Sequence, residues 1–194
     1  LYAGNKEAQH SYIEIAKDKG YQVLLLDSPI IPHLIQKLES DNSGLTFVRV
    51  DSDHIDNLIK KEETAISKLS TEEQESLKTV VETIVPKQTY TVQLEALDSS
   101  AAPFIITQPE FMRRMKEMSQ TGGGGMFGMG NFPEMYNLVV NTNSDLATSI
   151  LNNEDKTVQE NLVKQALDLA KLSKNLLKGE ALTAFVKRSF EMIK

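Results

Sequence analysis

The string GGGMFG, Gly123 to Gly128, satisfies G-x-G-x-x-G, the spacing with which dinucleotide-binding loops bring backbone N–H groups to a pyrophosphate. That chemistry needs a strand before the glycines and a helix N-terminus after them. Here a helical pattern, PEFMRRMKEMSQ, precedes, and Asn131 and Pro133 follow, so the string does not read as a nucleotide site. No G-x-x-x-x-G-K-[ST] stretch is present to cradle phosphate. His10, His33 and His54 are far apart, lack ligand spacing and read as surface or helix-end residues rather than a metal centre. Ser99 and Ser100 sit in a turn without a nearby histidine. No nucleophile, base or cofactor loop can be assembled, so no catalytic, cofactor-binding or metal residue is assigned, and the chain is not expected to be an enzyme by itself.

The remaining chemistry is apolar contact. Six of the ten glycines lie in SQTGGGGMFGMGNFPEM, residues 119–135, and six of the seven methionines lie between Met112 and Met135. Glycine resists ordering because it loses the most conformational freedom on folding. Methionine and phenylalanine are residues a protein normally hides. In the helical pattern before the glycines, Phe111, Met115 and Met118 share a face with Met112 beside them. Arg113, Arg114, Lys116 and Glu117 take the opposite, polar face. Two arrangements fit: a helix lying on a sheet with methionine filling gaps, or an exposed strip that repacks against variable partners. Four consecutive glycines followed by Met126, Phe127, Met129 and Phe132 favour the second.

The elements that must position this strip are legible as periodicity. LYA, YQVLLLD and LTFVRV read as three strands, with YQVLLLD buried on both faces. Between them lie two helices, NKEAQHSYIEIAKDKG, with Asn5 as N-cap, Gly20 as stop and Ala8, Tyr12, Ile15 and Ala16 inward, and SPIIPHLIQKLES. Together they predict a small parallel βαβαβ subdomain over 1–52. The polar stretch DSDHIDNLIKKEE suits a linker, placed at 53–62. An α+β domain over 63–194 opens with a helix near Ser70 or Thr71, where Thr71 and Gln74 resemble a capping box, and Pro86 stops it. QTYTVQLEAL and FIIT, joined by the turn DSSAAP, read as an antiparallel hairpin, and MYNLVV as the third strand of an antiparallel sheet.

The last fifty residues are helical and apolar over more than half their circumference. Val158, Leu162, Ala166 and Leu169 form one stripe, with Val163, Leu167 and Ala170 on another. After Gly179, Leu182, Val186, Phe190 and Ile193 align. A lone surface helix needs only one stripe. A self-contained helical core or a symmetric four-helix arrangement between two copies would satisfy the excess.

Across 194 residues the formal charge is −6, which argues against a nucleic-acid binder, since phosphate contact needs clustered cations. Cysteine is absent, which excludes disulfides and thiolate chemistry. No apolar run has the roughly 18–20 residues a membrane span needs, and nothing at the start reads as a signal peptide. The opening LYAGNKEAQ, without an initiator methionine, reads as a piece of something longer.

Taken together these segments resemble the heat-shock protein 90 family in its bacterial form. YAGNKEAQHSYIEIAKDKGYQVLLLDSPIIPHLIQKLE is similar to the end of that family's middle domain, DSSAAPFIIT to its hairpin tip and return strand, FMRRMKEM to its protruding amphipathic helix, and ENLVKQALDLAKL…FVKRSFEMIK to its dimerisation helices. The order and spacing match over essentially the whole chain. One departure is NTNSDLATSI, where the family usually has N-P-x-H; another is a Gly/Met/Phe insertion richer than the family pattern.

The resemblance implies the C-terminal portion of a cytoplasmic, ATP-dependent chaperone. ATP, magnesium and the arginine that assists hydrolysis would then be held upstream of Leu1, leaving no cofactor here. It implies a homodimer that binds non-native client proteins, neither nucleic acid nor membrane. The expected client lip is Phe111, Met112, Met115, Met118, Met126, Phe127, Met129 and Phe132, facing the cleft between protomers. The expected dimer contact draws on Val158, Leu162, Ala166, Leu169, Leu182, Val186, Phe190 and Ile193. Two rivals are a standalone dimeric scaffold that docks one fixed partner through the Met-rich helix, and a small α/β enzyme using strand ends near Asp27 and Asp51.

Overall fold

Pro32 stands in the first turn of one helix, Gly20 just beyond the end of another, and Pro86 two residues past a third, so the chain's own punctuation sets much of its element order. The structure, a computed structural model, describes residues 1–59, 65–114 and 135–193. Along the first half run β1 (Tyr2–Ala3), α1 (His10–Asp18), β2 (Leu24–Leu25), α2 (Ile31–Asp41), α3 (Ile55–Leu58) and α4 (Thr71–Ile84). Then come β3 (Tyr90–Glu95), β4 (Phe104–Thr107), a helical segment α5 described over 110–114, β5 (Tyr136–Asn141), α6 (Asp145–Leu151), α7 (Lys156–Ser173) and α8 (Gly179–Ile193). The fold is mixed α/β with two small sheets. It gathers into two units, Leu1–Lys60 with Thr107–Met135 and Lys61–Ile106 with Tyr136–Lys194.

In the first unit β1 pairs in parallel with β2, Tyr2 opposite Leu24 and Ala3 opposite Leu25. The third expected strand, LTFVRV, contributes a single parallel bridge from Arg49 to Tyr2, flanked by Tyr2 N–H to Val48 O and Val50 N–H to Tyr2 O. Ile13 of α1 packs on Ala3 and Val50. The expectation that YQVLLLD is buried on both faces does not hold: Leu24 is 54% and Leu25 52% exposed. Double burial needs layers over both faces, and among the described residues the central β1 receives that cover while the edge strand β2 does not.

Two local corrections have simple causes. Asn5 Oδ1 accepts the Ala8 N–H at 2.8 Å and so caps a turn ahead of α1, which begins only at His10. Gln9 closes the gap: its Oε1 accepts the Gly4 and Asn5 N–H groups, and its Nε2 donates to Asp51 Oδ1 at 2.7 Å. The polar stretch from Asp51 therefore starts inside the unit, with Asp51, Ser52, His54 and Ile55 all buried. His54 is thus an interior residue, whereas His10 and His33 are exposed.

In the second unit the sheet order is β3-β5-β4. The expected hairpin of β3 and β4 does not form, because β5 lies between them and runs parallel to β3, Tyr90 opposite Tyr136 through Glu95 opposite Asn141. The expectation of an all-antiparallel sheet is corrected accordingly. The reason lies in the side chains. The centre of a covered sheet suits the strand that is apolar on both faces, and β5 is buried at five of six positions; β3 alternates, as an edge strand does. Leu77 and Val81 of α4, Ile150 of α6, and Val163 and Leu167 of α7 complete the core around Leu138 and Val140.

A buried polar knot ends β5, at the start of NTNSDLATSI. Asn141 Oδ1 accepts the N–H groups of Leu97 and Asn143, and its Nδ2 donates to Asp98 O at 2.9 Å. Asn143 accepts the Lys68 N–H at 2.7 Å and donates to the carbonyls of Leu97 and Ile66. Each amide thus replaces water for backbone groups that would otherwise be stranded.

Candidate functional site

Segment 107–114 leaves β4 and is tied to the first unit at once, Gln108 donating its N–H to Asp51 O. Asp51 is itself gripped by Arg49, Nε to Oδ1 at 2.5 Å and Nη2 to Oδ2 at 3.1 Å. From Pro109 the chain turns helical, as the fixed φ of proline permits in a first turn, and the Arg113 N–H bonds to Pro109 O.

The sequence put Arg113 and Arg114 on the polar face of this helix. That face is the one the protein anchors. Arg113 is only 3% exposed. Its guanidinium lies over the Tyr2 ring, 5.7 Å from the centroid, and donates to Tyr2 Oη and to Glu110. Tyr2 donates a hydrogen bond from its own hydroxyl to Glu110 Oε1 and meets the Phe47 ring edge-on. Arg114 is forked: Nη1 donates to Glu39 Oε2 at 2.8 Å, Nη2 to Glu39 Oε1 at 3.2 Å and to Phe47 O at 2.6 Å, and Nε to Glu110 Oε1 at 2.7 Å. Glu39 also accepts the Phe47 N–H at 2.7 Å.

These are charge-assisted contacts in partial shelter from water, the setting in which a planar guanidinium is most effective. The Arg114 hydrogen bonds hold the Glu39 carboxyl below the usual carboxylate range against the opposing effect of burial, with the Phe47 N–H and the Arg114 charge adding to them. Glu39 in turn pushes Arg114 further up, which keeps it charged.

With Arg113 and Arg114 anchored, the described apolar residues of α5 lie further out. Phe111 is 70% exposed and Met112 half-buried. Met115, Met118, Met126, Phe127, Met129 and Phe132 lie outside the described residues.

The second unit carries another apolar surface. On α7, Val163, Ala166, Leu167 and Ala170 are spent on the unit's own core, so Ala166 belongs with the inward stripe. Val158 and Leu169 are exposed, joined by Leu172, which the sequence reading did not single out, while Leu162 is half-buried. On α8 only Phe185 is buried. Leu182 is half-buried, and Val186, Phe190 (65%), Met192 and Ile193 (81%) are exposed. A polar seam sets the two helices against each other: Gln165 Nε2 donates to Ser189 Oγ, Arg188 Nε to Gln165 Oε1, and Arg188 Nη2 to Asp168 Oδ2 at 2.6 Å.

No protein-family model matches the chain. Curated relatives do. The protein named chaperone protein HtpG from Porphyromonas gingivalis is 42% identical over 89% of this chain, and those from Bacteroides fragilis (strain 638R) and Bacteroides thetaiotaomicron are 33% and 34% identical over 100% of it. The chain belongs to the HtpG-type heat-shock protein 90 chaperones. It spans 25% of the length of the first of these relatives and 38% of the other two.

For this HtpG-type chain, the sequence reading missed Glu39, Tyr2, Glu110 and the two arginines as one constellation. The available signal was weak. Glu110 and Arg114 stand four apart on a helix, but Glu39 and Arg114 are 75 positions apart and nothing local links them. Among the described residues no group of histidine and carboxylate side chains could hold a metal ion, and no helix is long and apolar enough to cross a membrane.

Proposed function

We propose that this chain is the C-terminal portion of an HtpG-type chaperone, and that it presents apolar side chains beginning at Phe111 and Met112 to non-native polypeptide. The single observation that carries the reading is the inverted docking of α5: its arginines are fastened inward while Phe111 stands in solvent. Isolated burial of a phenylalanine is worth about 1.5–3 kcal/mol, so leaving one out at a helix root is a standing cost that a binding partner removes. Unfolded chains offer apolar segments of no fixed shape, and the polarisable, unbranched methionines that follow suit such partners.

A second part of the proposal is homodimerisation through the outer faces of α7 and α8, supported by the exposed Val158, Leu169, Val186, Phe190 and Ile193. On the family resemblance, ATP is bound and hydrolysed by residues upstream of Leu1, and the chaperone works in the cytoplasm.

Placing a photo-crosslinking amino acid at Phe111 tests the client reading. The expected result is capture of a permanently unfolded probe protein, competed by excess unfolded polypeptide but not by folded protein. If Phe111 captures one folded partner saturably and ignores unfolded chains, the chain is instead a scaffold with a fixed ligand.

A further inference from the structure

Four hydrogen bonds converge on Arg114, and they close a ring of contacts. Glu39 takes two of them, and Phe47 takes one on its carbonyl while its own N–H goes back to Glu39. The fourth returns to Glu110 within the same helical turn. An arginine spread over two acidic side chains and a backbone carbonyl is a poor choice if only charge neutrality is needed; lysine would supply that. It is a good choice for fixing an orientation, because the planar fork meets the carboxylate in two parallel bonds.

We infer that Arg114 is a positioning residue for the apolar contact: its fork to Glu39 and Phe47 sets the rotation of α5 about its axis, so that Phe111 faces solvent rather than the α/β unit. The inference rests on the client reading above. Arg113 holds the same turn by an independent route through Tyr2, so loss of Arg114 loosens the segment without releasing it.

The chain has no cysteine, so Phe111→Cys gives a unique attachment site for a nitroxide. With that label we expect Arg114→Ala and Glu39→Ala each to raise spin-label mobility, and the double variant to fall clearly short of the sum of the two changes. In the unlabelled chain, crosslinking from the photoprobe at Phe111 to the unfolded protein should fall roughly three- to tenfold in the same variants. Arg114→Lys, which keeps the charge and loses the fork, should lie between wild type and Arg114→Ala. Far-UV circular dichroism identifies any variant that fails to fold, and Glu39→Gln then replaces it.

Label mobility in Arg114→Ala equal to that of wild type overturns the positioning role, whatever the probe does. Additive effects of Arg114→Ala and Glu39→Ala overturn it too. A wild-type Phe111 that never captures unfolded probe, in a chain whose label mobility still responds to Arg114→Ala, overturns the client reading and leaves the orientation of α5 explained.

Discussion

Glu39 accepts hydrogen bonds from a guanidinium and a backbone amide at once, and that makes unit stability depend on acid. Its folded pKa is depressed, so the stabilisation is present above the unfolded-state value of about 4.3 and is lost as pH falls through the lower folded value. The gap in thermal midpoint between wild type and Glu39→Gln should therefore hold steady from neutral pH down to about pH 5 and close on further acidification. A gap that widens in acid would contradict the assignment. Thr107 is the opposite case. Its hydroxyl is buried at the end of β4 without a hydrogen-bond partner among the described residues, which carries a desolvation cost with no return. Thr107→Val keeps the branched shape and removes that group, and should stabilise the chain by about 1 kcal/mol, read as a higher urea midpoint at unchanged slope.

In the second unit elements were legible to within a residue or two, whereas in the first α1 begins at His10 rather than after Asn5 and LTFVRV gives a single bridge; the shortfall is also instructive at α4. Thr71 and Gln74 have the spacing of a capping box, yet the box is built one residue earlier. Ser70 Oγ accepts the Glu73 N–H, and Glu73 Oε2 accepts the Ser70 N–H at 2.7 Å. Two overlapping candidates competed, and Glu73 wins because a carboxylate is the stronger acceptor and stands near the positive end of the helix dipole. Ser70→Ala should cost about 1 kcal/mol and Thr71→Ala close to none, which equilibrium unfolding can separate. Strand existence in the second unit was equally readable, but strand neighbours were not. Proximity in sequence suggested a hairpin of YTVQLE with FIIT; burial instead puts the run YNLVVN, apolar on both faces, at the centre and the alternating YTVQLE at the edge.

For the whole molecule, the proposed role of the exposed α7 and α8 faces is homodimerisation. Phe190→Glu places a charge at an exposed position, so it should leave the fold intact and give a monomer by light scattering at micromolar concentration. Val163→Glu buries a carboxylate in the unit's own core and should instead unfold it. A wild-type chain that is already monomeric at that concentration removes the dimer proposal. The two outcomes separate the outer stripe, expected from the sequence to meet the partner, from the inner stripe consumed by the unit's own core.

Periodicity, proline, glycine and capping residues determined the helices, most strands and the presence of surplus apolar surface, because these depend on neighbours within a few positions. The same local information exposed the family resemblance. Tertiary structure alone decided that β5 sits between β3 and β4, that the inner stripe of α7 is the one consumed at home, and that Arg113 and Arg114 of α5 are anchored. Each of those outcomes depends on partners distant in sequence, Glu39 with Arg114 and Tyr2 with Arg113 above all. A guanidinium reads as solvent-seeking until a carboxylate, a carbonyl and an aromatic ring are brought to it, and only the folded chain brings them.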